Sequence, residues 1–202
     1  MKPLVKKTVI IVAVFFAVLG IYFGAYLPYK KANAFIGKIR LLQSVKSIDE
    51  LKFHFNEVLG MGSPVAQDEI VTFTLDQLSN VIREDLPEAI NRSITDYTEE
   101  VASSVLENPR SAELTKTYLK MGIIYQKNWL FYKDPVFAAK AEDMYLKGLA
   151  ISPNRPQFLY GLFDLYLSGR RMEEAKSVGE KILGFWPNDS LMEEKLRILT
   201  AL

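Results

Sequence analysis

Residues Thr8 to Leu27, TVIIVAVFFAVLGIYFGAYL, form an unbroken uncharged run. As an α-helix with about 1.5 Å of rise per residue, twenty residues reach roughly 30 Å, the hydrocarbon thickness of a bilayer. Lys2, Lys6 and Lys7 precede the run, and Tyr22, Tyr26 and Tyr29 crowd its far end. Amphipathic tyrosine rings favour the membrane–water interface. A secretory signal peptide is the competing reading. It would have a shorter apolar core and small residues before its cleavage site, whereas Tyr26, Leu27, Pro28 and Tyr29 are bulky. The run therefore predicts an uncleaved single-pass anchor over residues 8–28, with the lipid bilayer as its partner, behind a short basic tail at 1–7. Lys30, Lys31, Lys38 and Arg40 balance the lysines of the tail, so the charge flanks barely decide orientation. A short basic tail before a long anchor points to an extracytoplasmic soluble part. Gly20 and Gly24 have the spacing that lets two membrane helices approach closely; simple tolerance of glycine is the alternative.

The whole chain has net charge +1. That near-neutral balance argues against nucleic acid as a partner. With no cysteine in the chain, disulfides, thiolate metal sites and thiol catalysis are excluded.

Beyond the anchor, apolar residues recur at helical spacing and no strand alternation stands out. The successive faces begin with Ala32, Phe35, Ile36, Ile39 and Leu42. Ser47 with Glu50 reads as a capping box before Leu51, Phe55, Val58 and Leu59. Gly60 and Gly62 stop that helix, and Ser63-Pro64 restarts the chain as N-cap and first helical residue. Further faces are Val71/Leu75/Leu78/Ile82, Ile90/Ile94/Tyr97/Val101, Leu114/Tyr118/Met121/Tyr125 and Phe137/Ala141/Tyr145/Leu149. A longer connection is expected from Lys127 to Lys133. Leu159, Leu162 and Tyr166 follow, then a turn at Gly169, then Met172, Ala175, Ile182 and Leu183. Ser190 with Glu193 caps a last helix whose face is Leu191, Leu196 and Leu199. About nine short helices with short turns are the geometry of antiparallel pairs.

Internal spacing refines this. Leu159, Leu162 and Tyr166 lie on one helix, Ala175 follows on the next, and Pro187 ends it. Tyr118, Met121, Gly122, Tyr125, Ala141, Tyr145, Gly148 and Pro153 repeat the order, with an insertion between the two helices. This pattern resembles the tetratricopeptide repeat, a helix–turn–helix unit of about 34 residues. Phe163 stands where that family prefers a small residue and Gly179 where it prefers an aromatic one, an exchange of bulk between neighbouring positions. The resemblance implies an all-α protein: one N-terminal transmembrane helix followed by a short tetratricopeptide-like α-solenoid of antiparallel helix pairs. Divergent helical hairpins would occupy 29–108, repeats 109–188, and a polar-backed capping helix 189–202.

A narrower resemblance covers nearly the whole chain. A membrane helix with Pro28 beyond it leads into KANAFIGKIRLLQS, then EVLGMGSPVAQDEI, ENPRSAELTKTYLKMGIIYQ and LAISPNRPQFLYGLFDLYLSGRRMEEA. This order is similar to the C-terminal tail of bacterial O-antigen polymerase/ligase-like membrane proteins, where a last span precedes tetratricopeptide-type helices. It implies a setting in envelope or surface-polysaccharide assembly. The many spans that carry glycan chemistry in that family are not in this sequence, so no activity is carried over. The chain is then a scaffold in its own right, or an auxiliary subunit of a polymerase/ligase-type enzyme whose catalytic spans are encoded elsewhere.

Residues with chemical potential are few. His54, the only histidine, lies one step off an apolar face and reads as a helix-surface side chain. Glu99-Glu100 and Glu173-Glu174 are helix neighbours that diverge by about 100°. Asp134 and Asp189 sit at expected helix starts, where capping accounts for them. We therefore expect a non-enzyme without a cofactor or metal. Solenoid grooves bind extended peptides or helices. The expected groove residues for a protein partner are Lys116, Leu119, Ile123, Gln126 and Lys127 in one repeat and Gln157, Tyr160 and Asp164 in the next. The aromatic cluster Asn128 to Phe137 is either an exposed contact loop presenting Trp129, Phe131 and Tyr132, or additional core in which Trp129, Phe131 and Phe137 tuck against neighbouring helices.

Overall fold

Proline at position 28 should interrupt a helix, since it lacks an N–H and its ring crowds the carbonyl four residues earlier. The chain instead continues through it. In the computed structural model, which describes residues 3–41, 47–63 and 67–200, helix α1 (Pro3–Ile21) passes into a π-helical turn (Tyr22–Tyr26) and on into α2 (Leu27–Leu41). The Leu27 N–H bonds to Tyr22 O, one residue further back than in an α-helix. One turn of wider winding directly before Pro28 absorbs the clash. The helix thus runs unbroken from Lys7 to Leu41, long and apolar enough to cross a membrane, with the apolar window unburied by protein. Ile11, Phe16 and Ile21 are each about two-thirds exposed. Gly20 and Gly24 lie on an open surface, since a Cβ on either would meet nothing within 4 Å.

The described chain is all-helical, without a strand, and divides into two compact units at Val71/Thr72. The first unit holds α1, α2, α3 (Ile48–Leu59) and the first turn of α4 (Gln67–Val81). Ser47 caps α3 as expected, accepting a bond from Glu50 N at 3.1 Å. Leu51, Phe55 and Val58 are buried, and Phe55 packs on Phe35 of α2 with ring centroids 6.2 Å apart. Leu42 and Pro64, expected on an apolar face and at a helix start, lie outside the described residues.

The second unit holds the rest of α4, then α5 (Glu88–Leu106), α6 (Leu114–Tyr132), α7 (Pro135–Ile151), α8 (Pro156–Ser168), α9 (Met172–Phe185) and α10 (Ser190–Thr200). From α5 onward each helix packs against its successor, and α6 also packs against α8. Tyr97, Tyr145, Phe158 and Phe163 are fully buried, alongside Ala102, Ala141 and Ala175.

Three helix ends carry detail that periodicity alone does not give. α6 runs straight through 127–132, where a connection was expected, because no glycine or proline interrupts it before Pro135. Its turn is only Lys133, left-handed at φ 53°, and Asp134, whose side chain accepts from Val136 N at 3.0 Å to cap α7. α8 ends in the turn expected at Gly169, and the left-handed residue of that turn is Arg170 (φ 58°). Arg171 N bonds to Tyr166 O at 2.9 Å and Arg170 N to Leu167 O at 3.1 Å, the paired bonds of a Schellman ending. Finally, α10 is capped by Asp189, as its place at a helix start implied, accepting from Met192 N at 3.1 Å; Ser190, also expected as a cap, is the first residue of the helix. Its buried face is centred on Met192, leaving Leu191 and Ile198 more than half exposed, so the outer face of this last helix is not uniformly polar.

Candidate partner-binding surface

The expected groove residues are carried by α6 and α8, two helices that pack directly on each other. Their close approach is built from small residues set against rings. The Tyr145 ring of α7 fills the space a side chain at Gly122 of α6 would need, and its Cζ lies 2.7 Å from where a Cβ on Gly161 of α8 would stand. Phe158 of α8 occupies the equivalent space at Gly148 of α7. Leu196 of α10 does the same at Gly179 of α9, 2.7 Å from the position of a Cβ. Phe163 is fully buried and has Lys195 of α10 above its ring at 5.2 Å.

Not all eight groove residues remain available. Lys116, Gln157 and Asp164 are exposed; Ile123, Gln126, Lys127 and Tyr160 are half-buried; Leu119 is buried. The expectation that Leu119 lies off the packing face is therefore corrected: it belongs to the core of α6. Gln126 Oε1 accepts a 2.6 Å bond from the Tyr145 hydroxyl, and Lys127 Nζ donates to Ser79 O of α4 at 2.6 Å. Burial lowers the Lys127 pKa from its ordinary value. Tyr160 donates to Asp189, and Asp164 pairs with Lys195 at 3.0 Å, so α10 covers part of the α8 surface. Burial, and then the bond to Asp189, push the Tyr160 hydroxyl up to about 12.

The aromatic cluster is not a loop. Trp129, Phe131 and Tyr132 occupy the last turns of α6 and are each half-buried. Trp129 Nε1 donates to Ser168 Oγ at the end of α8, at 3.0 Å. The Tyr132 hydroxyl is bonded to Asn91 of α5. Trp129 and Tyr132 thus tie helices together, Phe131 lies against Tyr132 with ring centroids 6.1 Å apart, and Phe137 is buried, in line with the core alternative.

Polar groups inside the unit serve the same purpose. Asn128 is buried and donates to Thr95 Oγ1 of α5 at 3.0 Å and to Ile124 O at 2.9 Å. Glu142 of α7 takes a bidentate pair of bonds from Arg171, at 2.6 and 3.2 Å, and a third from the Tyr166 hydroxyl at 2.7 Å. Burial alone would raise the Glu142 pKa, but the bonds from Arg171 and Tyr166 and the arginine's charge outweigh it and hold the group below its ordinary value.

His54 is mostly covered, with Nε2 lying 3.9 Å from Glu50 of its own helix and Nδ1 without a partner. Among the described residues no three His, Asp or Glu side chains gather as a metal site. Lys31, in the sequence only a charge flanking the apolar run, is not a surface side chain. It is fully buried against the end of α3. Its signal was its place four residues before Phe35, on the same helix face. No protein-family profile, no curated protein and no solved structure matches this chain.

Proposed function

We propose that this chain is a membrane-anchored scaffold that holds a protein partner on the face made by α6 and α8 of a tetratricopeptide-like stack. The observation that carries the reading is the packing of α6 against α8 as well as α7. When the first helices of successive pairs are neighbours, their outer sides merge into one continuous surface, the surface that solenoids use for extended ligands. The small-against-ring contacts at Gly122, Tyr145 and Gly161 support the repeat reading, as does the buried Ala175. The exchange of bulk at Phe163 and Gly179 is met by α10, whose Lys195 and Leu196 reach those two positions.

The exposed residues of this surface are Lys116 on α6 and Gln157 and Asp164 on α8, with Ile123 half-buried. The apolar helix would anchor the chain in a bilayer through residues 8–28. By its resemblance to O-antigen polymerase/ligase tails, the partner would belong to envelope or surface-polysaccharide assembly. The scaffold itself is read as non-catalytic.

The test is co-isolation from detergent-solubilised membranes. A protein recovered with the natural chain should be lost with the double substitution Lys116→Glu, Gln157→Arg. The variant should keep its helical signal and its melting temperature. Recovery unaffected by the pair of substitutions would refute this face as the binding surface.

A further inference from the structure

Lys31 is a charged side chain with no exposed surface, and what it does with its charge locates part of the protein relative to the bilayer. Its Nζ donates to Met61 O at 2.9 Å, and to Gln67 Oε1, with Leu59 O at 3.5 Å. Gln67 Nε2 in turn donates to Leu59 O at 3.2 Å. The carbonyls at the end of α3 carry the negative end of the helix dipole, so the ammonium is held by groups that suit it. A lysine in this position on an isolated membrane helix would instead extend toward lipid phosphate.

The helix leading to Lys31 is continuous with the apolar run, which fixes its height. Leu27 ends the uncharged stretch, and Lys31 is four residues further along the same rod. At about 1.5 Å per residue its Cα lies roughly 6 Å beyond the hydrocarbon edge. The headgroup layer is itself roughly 5–8 Å thick on each side. The α2–α3 pair is antiparallel: Lys31 meets Leu59 and Met61, whereas Phe35, further from the apolar run, meets Phe55. The end of α3 is therefore its membrane-facing end. From Val58 to Gly62 it carries no charge, as VLGMG. Residues 28–71, on the other side of the span from Lys2, Lys6 and Lys7, carry six Lys or Arg and five Asp or Glu, a near-neutral balance that does not repel a phospholipid surface.

We propose that the turn Leu59–Gly62 is seated in the phospholipid headgroup layer, held there by Lys31. The unit around α2 and α3 then stands directly on the bilayer and is not suspended from a flexible tether. The inference rests on the anchor reading above, and the test separates the two.

The chain has no cysteine, so single labels can be placed cleanly. Gly62 is exposed and a Cβ there meets nothing within 4 Å. Gly62→Cys would carry a fluorophore, with the full chain in vesicles of equal parts phosphatidylcholine and phosphatidylglycerol. Asp49→Cys, at the opposite end of α3 and about 15 Å further out, is the distant control. Val14→Cys, mid-span, reports the anchor. The expected result is that a nitroxide on the lipid headgroup removes most of the Gly62 emission and little of the Asp49 emission, while aqueous iodide quenches Asp49 the more strongly. Iodide quenching equal at Gly62 and Asp49, with Val14 shielded, overturns the seat and leaves the anchor standing. A Gly62 label shielded from iodide but untouched by the lipid nitroxide also overturns it, in favour of a protein contact. A Val14 label open to iodide overturns the anchor itself.

Discussion

The ring of Tyr145 lies where a side chain at Gly122 would have to go, and a Cβ on Gly161 would stand 2.7 Å from the same ring. Helices α6, α7 and α8 are thus held at a separation that only glycine permits at two of the three positions. Replacing Gly122 by Ala would ordinarily favour the helix by about 1 kcal/mol. Here the new methyl overlaps a ring that cannot move away, and overpacking of this kind costs about 1–3 kcal/mol. We expect Gly122→Ala to be less stable than the natural chain. Gly184→Ala, in open space on α9, should be neutral or stabilising by up to about 0.5 kcal/mol. Thermal melts of the full chain in detergent compare the two, and a stabilised Gly122→Ala would contradict this packing.

Arg170 sits in the left-handed conformation at the end of α8, one residue after a glycine that does not use it. A side chain in that region costs roughly 1 kcal/mol relative to glycine. Arg170→Gly should therefore raise stability by about that amount, although it stands in a turn, where added backbone freedom normally weakens a protein. A lowered denaturation midpoint would mean that the Arg170 side chain makes a compensating interaction.

Ala175 is completely buried where α9 is packed into the stack. Ala175→Arg forces a long charged side chain into that space without a partner, among the costliest of single changes. The α8–α9 pair should lose its protection against hydrogen exchange. A variant with unchanged protection would tell against close packing at this position.

Glu142 is held below its ordinary pKa of 4.5 by Arg171 and Tyr166, against the opposing effect of burial. A carboxyl with a lowered folded pKa contributes stability that is fully present above the unfolded value and disappears as pH falls through the folded one. Glu142→Gln should therefore be less stable than the natural chain near neutral pH. The difference should shrink once pH drops below 4.5. Urea midpoints measured near neutrality and in acid give the comparison, and a gap of constant size would rule out the carboxylate as its source.

Helical periodicity was readable where a segment has one buried side. Leu75, Leu78, Ile94, Tyr97, Met121, Tyr145 and Leu162 were all assigned to apolar faces and are buried. Pattern was less informative where a neighbouring helix decides. Asn128 looks like a loop residue, yet α5 supplies Thr95 as its partner and α6 continues. Leu191 and Met192 are equally apolar, and only the position of Asp189 as cap fixes which one faces inward. The turn at Gly169 was legible, but which of its residues is left-handed depends on the bonds from Arg170 and Arg171, which place that conformation at Arg170. The groove lost Leu119 to the core because helical spacing alone cannot distinguish a surface between two packed helices from one facing solvent.

The most direct test of the partner-binding account is site-specific photo-crosslinking in native membranes. A photoreactive side chain would replace Gln157 or Lys116 on the α6–α8 face, and exposed Lys181 on α9 as control. The account predicts one adduct of defined mass from both Gln157 and Lys116 and none from Lys181. Adducts from all three positions alike, or from Lys181 alone, would contradict it.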